Sequence, residues 1–245
     1  MAGKLAIMAD SDAAYQRFGL SPTSIDPWED GARTDNSPGT YEWWYFDAHL
    51  ADGAKLVVVF SDKEVTDSKV PLSPQLRLNL DLSDGRHFEK IVSYSPDEWS
   101  SAQDHCDVRM GDNRFSGDLH HYQIEIRVEG ISVDVTLDGE VPPWRPGTGY
   151  MLFGADRALE FAWLPSVPQG AAIVIYSIDG ESHQTAGTGY HDHNWGNVDL
   201  IKIVHDWYWA RSSGTVLSHS LHTSRQPRNS TSSRSRSSCW PAITF

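Results

Sequence analysis

The segment QLRLNLDL alternates without a break: Leu76, Leu78, Leu80 and Leu82 point one way, while Arg77, Asn79 and Asp81 point the other. A period of two suits a half-buried β-strand and no helix. The same texture recurs along most of the chain, punctuated by tight-turn signals. TYEWWYFDAHL reaches Asp52-Gly53 and continues as KLVVVFSD. QLRLNLDL reaches Asp84-Gly85 and continues as HFEKIVSY, and AAIVIYSIDGESHQTAGTGYHDHNWG doubles back through Asp179-Gly180. Each reads as a hairpin, because Asp-Gly tolerates the backbone that a two-residue turn demands. CDVRMG, RFSGDL, YQIEIRVEG and SVDVTLDG add further strands. Short strands at this density predict an all-β protein, an antiparallel sandwich or barrel.

The chain divides into three zones. Residues 1–38, rich in Asp, Ser and Pro, read as an N-terminal extension lying over the domain, with one short helix from Asp12 to Phe18. Residues 39–211 form the β domain, with regular structure from Tyr41. VPPWRPGTGYMLFG reads as a long loop at one end of the barrel. VDLIKIVHDWYWAR has a weak helical period but is expected to be strand. Residues 212–245 break with everything before them, carrying four arginines, abundant serine and no acidic residue. They read as a disordered or non-native tail.

The net charge of −13 argues against nucleic acid, whose phosphates need a basic footprint. No apolar run approaches the roughly 20 residues of a membrane span. No signal peptide is apparent, so a cytoplasmic protein is expected. The two cysteines, Cys106 and Cys239, make neither a disulfide framework nor a metal knuckle. Ten tryptophans suit both an aromatic core and a ligand pocket, since indole joins a large apolar face to one N–H donor. The expected partner is an apolar small molecule.

Two stretches stand out chemically. In strand Glu42–Asp47, Glu42, Trp44 and Phe46 share one face and Trp43, Tyr45 and Asp47 the other. Each face sets a carboxylate beside two aromatics. That is the setting of a carboxyl kept protonated near neutrality, or of an acid tied to backbone at a barrel rim. In Tyr190–Trp195, His191, His193 and Trp195 share one face, with Tyr190, Asp192 and Asn194 opposite. Such a run is neither ordinary core nor ordinary surface. It reads as a proton-transfer cluster, as a metal pair completed by His205, Asp192 or Glu42, or as a buried network tying strands together. We take His193, Trp195, His191, Asp192 and Glu42 as catalytic candidates, without metal or cofactor. Trp44, Tyr45, Phe46, Asp47, Tyr190, Asn194, His205, Trp207, Trp209 and Arg211 are substrate-binding candidates. Arg211 is placed to pair with Glu42 or Asp47, or to stack on a tryptophan. No nucleophile elbow, phosphate loop or dinucleotide fingerprint occurs.

YEWWYFDAHLADG, the NRFSGDLHHY region, VPPWRPGTGY, GTGYHDHNWGN and HDWYWAR together resemble the hydroxyneurosporene synthase (carotenoid 1,2-hydratase) and AttH-like family of lipocalin-related proteins. The likeness runs from about Gly39 to Arg211. It implies two consecutive lipocalin-like barrels around an apolar cavity, the second largely missing here. It also implies acid-catalysed hydration of a carbon–carbon double bond in a terpenoid, carotenoid or polyketide, with His193 and Trp195 at catalytic positions. An Asp and a Tyr expected further downstream would fall in the tail. Relatives that shape polyenes make a Diels–Alderase-like cyclase the first alternative. A non-catalytic hydrophobic carrier and a cupin-like metal enzyme are the others. An unpaired edge where the second barrel would begin suggests a homodimer.

Overall fold

The computed structural model describes the backbone of residues 6–212 and 219–225, and side chains up to Asp206. It opens with β1 (Ile7–Met8), α1 (Asp12–Phe18) and a 3-10 turn (Pro27–Asp30). The hairpin strands β2 (Tyr41–Leu50), β3 (Lys55–Ser61), β4 (Gln75–Asp81) and β5 (His87–Ser93) come next. They are succeeded by β6 (Trp99–Ser101), β7 (Cys106–Met110), β8 (Asn113–Gly117), β9 (His121–Val128), β10 (Ile131–Gly139) and β11 (Tyr150–Phe153). The long strands β12 (Leu159–Ile178) and β13 (Glu181–Gly196) lead to α2 (Leu200–Ile203), β14 (Asp206–Ser212) and β15 (His219–Arg225). Among the described residues, no helix is long and apolar enough to cross a membrane.

A 13-stranded sheet runs in the order β5-β4-β3-β2-β13-β12-β10-β9-β8-β7-β6, with β11 also on β12 and β1 on β11. Its ladders are antiparallel, as the hairpin reading requires, and the fold is lipocalin-like and all-β. Right-handed strand twist curls a sheet of this width back on itself. Phe60 of β3 meets Phe115 of β8 at 5.8 Å between ring centroids, although five strands separate them in the sheet order. The interior is filled from all sides: Leu76, Leu78 and Leu80 of β4, Ile124 and Ile126 of β9 and Val133 of β10 are fully buried in one cluster. The β12–β13 turn has positive φ at both Asp179 (49°) and Gly180 (88°), the geometry of a type I′ hairpin.

The helix expected over Asp12–Phe18 is present with those bounds. Ser11 caps its N-terminus on the Ala14 N–H, and Gly19 ends it at φ 68°. Three local expectations are corrected. The supposed loop VPPWRPGTGYMLFG contains strand β11, because Tyr150–Phe153 pairs with the first half of β12. VDLIKIVHDWYWAR is not strand throughout: Leu200–Ile203 makes one helical turn, and strand begins only at Asp206. The expected tail is not wholly irregular, since β15 pairs with β14 in a separate two-stranded sheet. Residues 213–218 and 226–245 lie outside the described residues, so the reading of the tail there, Cys239 included, falls beyond them.

Two irregularities shape the β12–β13–β2 region. The β12–β13 ladder shifts register between Leu164 and Val167 and again between Val167 and Gly170. Such bulges re-aim side chains, and here Ser166 is fully buried. At Gly187, a Cβ would lie 2.1 Å from the His49 carbonyl oxygen and 2.8 Å from Leu50 Cα. The β2–β13 ladder therefore depends on that glycine. Gly187→Ala is expected to lower the unfolding free energy by at least about 2 kcal/mol, read from urea unfolding midpoints.

Candidate functional site

Strands β2 and β13 set the site by their register. Glu42 lies opposite Trp195, Trp44 opposite His193 and Phe46 opposite His191. In an antiparallel pair directly opposed residues share a face. These six therefore face the interior of the curl, while Tyr45 and Asp47 of β2 line the outer side with Tyr190, Asp192 and Asn194 of β13. The two polar-aromatic strands thus form one surface on each side.

A residue from outside both strands organises the inner surface. Asp30, at the end of the 3-10 turn, is fully buried. Its Oδ2 accepts from the Tyr122 hydroxyl at 2.5 Å and lies 3.0 Å from His191 Nε2. Its Oδ1 accepts from the Ser166 hydroxyl at 2.8 Å, and its carbonyl accepts from Trp44 Nε1 at 2.9 Å. His191 Nδ1 donates to the Tyr45 carbonyl at 2.9 Å, since a carbonyl oxygen only accepts. Burial alone would push Asp30 up, but the neighbouring His191 and His193, with the hydrogen bonds from His191 and Tyr122, hold it below the usual range. Burial alone would pull His191 down, yet the Asp30 charge and hydrogen bond keep it raised. The geometry is that of a buried ion pair.

His193 lies beyond this pair, fully buried and stacked on Trp44 at 4.2 Å with 11° between the rings. Its Nε2 is 3.3 Å from Glu42 Oε2 and its Nδ1 is 3.8 Å from Asp30 Oδ1. Nδ1 has no hydrogen-bond partner among the described residues. Glu42 Oε2 also accepts from the Arg33 backbone N–H at 2.8 Å, and Oε1 accepts from the Thr34 hydroxyl at 3.2 Å. The Glu42 backbone N–H donates in turn to Asp62 Oδ1 at 2.8 Å. Burial pushes the Asp62 carboxyl up to about 8 in spite of that bond. Two imidazoles and two carboxylates therefore alternate in one buried chain, in the order His191, Asp30, His193, Glu42.

The chain ends beside a cleft of about 540 Å³ lined by Trp195, Tyr150, Arg33, Thr34, Gln103 and Glu160, among others. Trp195 separates His193 from the cleft, with its ring 4.8 Å from the imidazole. Its Nε1 donates to the Tyr150 hydroxyl oxygen at 3.0 Å, and the two rings stand at 81°. Phe18 of α1 stacks on Tyr150 at 3.8 Å, and Arg17 pairs with Glu160. Burial raises the Glu160 carboxyl, and Arg17 only partly offsets it.

Asp192 belongs to the other side of the sheet. Its Oδ2 accepts from Tyr190 at 2.7 Å and from Trp163 Nε1 at 2.8 Å, and its Oδ1 accepts from Asn194 at 2.7 Å. Burial raises it more than these bonds lower it. The structure therefore does not bring Asp192 to the histidines. Asp47 is buried on the same outer face as Asp192, and Tyr45 meets Tyr190 edge-on at 6.3 Å. His205 is exposed and bonds Asp206 at 2.7 Å, away from the cluster. The side chains of Trp207, Trp209 and Arg211 lie outside the described residues. The metal set envisaged from sequence does not assemble. The donors that converge are Asp30, Cys106 and His191, within 4.8 Å of one another and all buried. Both Asp30 oxygens there are already engaged by Tyr122, Ser166 and His191.

Asp30, Tyr122, Ser166 and Tyr150 escaped the sequence reading. Tyr122 carried a signal, because it occupies a core position in HYQIEIRV and a buried tyrosine hydroxyl needs a partner. Asp30 carried little beyond an acidic pair beside Trp28 in a segment without periodicity. Ser166 owes its position to the bulge, which no local pattern announces.

The Asp30–His191 pair makes stability depend on pH. The raised His191 contributes fully below its ordinary value of 6.5 and loses its contribution as pH climbs through the higher folded-state value. The lowered Asp30 contributes above its ordinary 3.8 and loses its share as pH falls through the lower folded-state value. His191→Gln should cost about 3–5 kcal/mol between those limits, as breaking a buried pair does. By urea unfolding, that difference should shrink as pH is raised past the window. A difference that widened toward alkaline pH would contradict the ion pair.

Compared with known proteins, the chain matches no family model. It is 28% identical over 214 residues to the hydroxyneurosporene dehydrogenase of Chlorobaculum tepidum, a match covering 72% of this chain and 54% of that protein. The chain thus spans about half the length of this curated relative. The AttH candidate NE1406 of Nitrosomonas europaea shares the fold with a TM-score of 0.58 at 19% identity, over 78% of this chain and 63% of that one. Kievitone hydratase of Nectria haematococca does so with a TM-score of 0.55 at 15% identity, over 78% and 56%. On sequence match and fold together, the chain is similar to AttH-like, lipocalin-related proteins.

Proposed function

We propose that the chain supplies the substrate-facing wall of a natural-product enzyme that adds water across a carbon–carbon double bond. The observation that carries this is the placement of Trp195: one side forms the cleft wall, and directly behind it lies the His193–Glu42 pair. The hydratase among the fold neighbours supports the same reading.

In this reading Glu160, a cleft-lining carboxyl that burial raises, gives its proton to one alkene carbon. The resulting cation lies against the indole face of Trp195 and the ring of Tyr150, whose π electrons stabilise positive charge. A water molecule bonds to the other carbon, and the proton it releases returns to the Glu160 carboxylate, which restores the acid, while the His193–Glu42 pair behind Trp195 holds the indole in place. Asp30 and His191 act behind them, holding the imidazole of His193 in place. Asp192 is assigned to bracing the outer face rather than to proton transfer. Trp44 serves as the platform for His193.

Glu160→Gln should lower kcat by about 10²–10⁴-fold, the usual contribution of a general acid, with a smaller effect on KM. His193→Ala, which removes the ring packed behind Trp195, should lower kcat by a smaller factor. The assay is mass spectrometry of prenylated and acyclic isoprenoid alkenes incubated with the 245-residue chain in ¹⁸O-labelled water. A product carrying the label is expected. An isomer without added oxygen would overturn hydration in favour of cyclisation or rearrangement, and unaltered substrate bound to the protein would indicate a carrier.

A further inference from the structure

We propose that the cleft takes a planar aromatic or conjugated molecule bearing oxygen substituents, and not an acyclic hydrocarbon. The inference rests on the proposed role of this cleft as the substrate site. It departs from the apolar ligand that the sequence suggested.

The interior of the curled sheet is filled by its own side chains. Phe60 and Phe115 touch across it, and Trp44, Phe46, Leu78 and Ile124 are fully buried. A ligand meets the cleft instead, whose walls are of two kinds. One is aromatic: Trp195 and Tyr150 stand edge to face, and Phe18 backs Tyr150. The other is polar, with Arg33, Thr34, Gln103 and Glu160 around the same space.

Arg33 is held for recognition. Its Nε donates to the Gly31 carbonyl at 2.9 Å, its Nη2 donates to the Gln103 carbonyl at 2.6 Å, and its guanidinium lies 4.8 Å from the Trp28 ring centre. These contacts fix the planar group on three sides and leave Nη1 uncommitted among the described residues. A hydrocarbon laid across this wall would strip water from the guanidinium and the Gln103 amide and return no hydrogen bond. A carbonyl or phenolic oxygen on the ligand restores those bonds, and a flat ring has the Trp195 indole to stack on. The aromatic wall alone would accept either class, so the polar wall decides between them.

The test is titration calorimetry of the 245-residue chain with naringenin, an oxygenated aromatic, and with myrcene, an acyclic hydrocarbon. Saturable binding of naringenin is expected, weakened at least about ten-fold in Arg33→Met and several-fold in Gln103→Leu. Myrcene should bind at least about ten-fold more weakly than naringenin. Circular dichroism confirms that each variant is folded, and Gln103→Leu keeps the test decisive should Arg33→Met fail to fold. Myrcene binding as tightly as naringenin, or naringenin binding indifferent to both substitutions, overturns the proposal, as does saturable binding of neither compound. Conversion is read separately: binding of naringenin without hydration of any alkene removes the catalytic reading and leaves the ligand class standing. Hydration of a hydrocarbon alkene with no affinity for naringenin does the reverse.

Discussion

The carboxylate of Asp30 is the point on which the rest of the structure depends. It enters the curled sheet from a 3-10 turn that belongs to no strand, and it accepts from Tyr122 on β9, Ser166 in the β12 bulge and His191 on β13. Its own carbonyl accepts from Trp44 on β2. A buried carboxylate without such partners would cost several kcal/mol, so four separate parts of the sheet must be in register before the charge is tolerated. The requirement works in both directions. The network holds the N-terminal segment against the sheet, and the N-terminal segment completes the network.

The neighbouring residue repeats the device. Glu29 pairs with the buried Arg145 at 2.8 Å, and Arg145 also donates to the Ser21 carbonyl at 2.8 Å. The segment before β2 is therefore pinned by two adjacent acids facing different partners. This rigidity has a consequence for the cleft. Arg33 and Thr34 lie just past the turn, and both reach Glu42, the Arg33 backbone at 2.8 Å and the Thr34 hydroxyl at 3.2 Å. The polar wall of the cleft and the chain of carboxylates and imidazoles behind Trp195 thus both contact one short stretch, and a displacement of that stretch would disturb both.

Much of the fold was legible in the sequence, and for a local reason. The alternation of Leu76, Leu78 and Leu80 and the Asp-Gly turns encode strands and hairpins through contacts between near neighbours. The helix at Asp12–Phe18 was legible through its Ser11 cap and terminal Gly19. The partition of β2 and β13 into faces was also legible, since the period of two assigns every side chain once the strand is recognised. The misreadings fell where local pattern competes with tertiary contact. Tyr150–Phe153 is preceded by prolines and glycines that suggest loop, yet the free edge of β12 recruits it as a strand. Leu200–Ile203 closes a single helical turn too short for periodicity to reveal.

The sequence by itself determined the class of protein and the composition of the site surface. Alternation and turn chemistry leave few alternatives to an antiparallel sheet, and the rare runs EWWYFD and YHDHNW place histidines, carboxylates and indoles on known faces of it. Only the tertiary structure decided which of these groups meet. It separated Asp192 from the histidines, because neighbours along a strand point to opposite sides. It joined His193 to Glu42 across the β2–β13 ladder and supplied Asp30 from a distant turn. Their partnership depends on the curl of the whole sheet, a property of long-range packing that no window of the sequence contains.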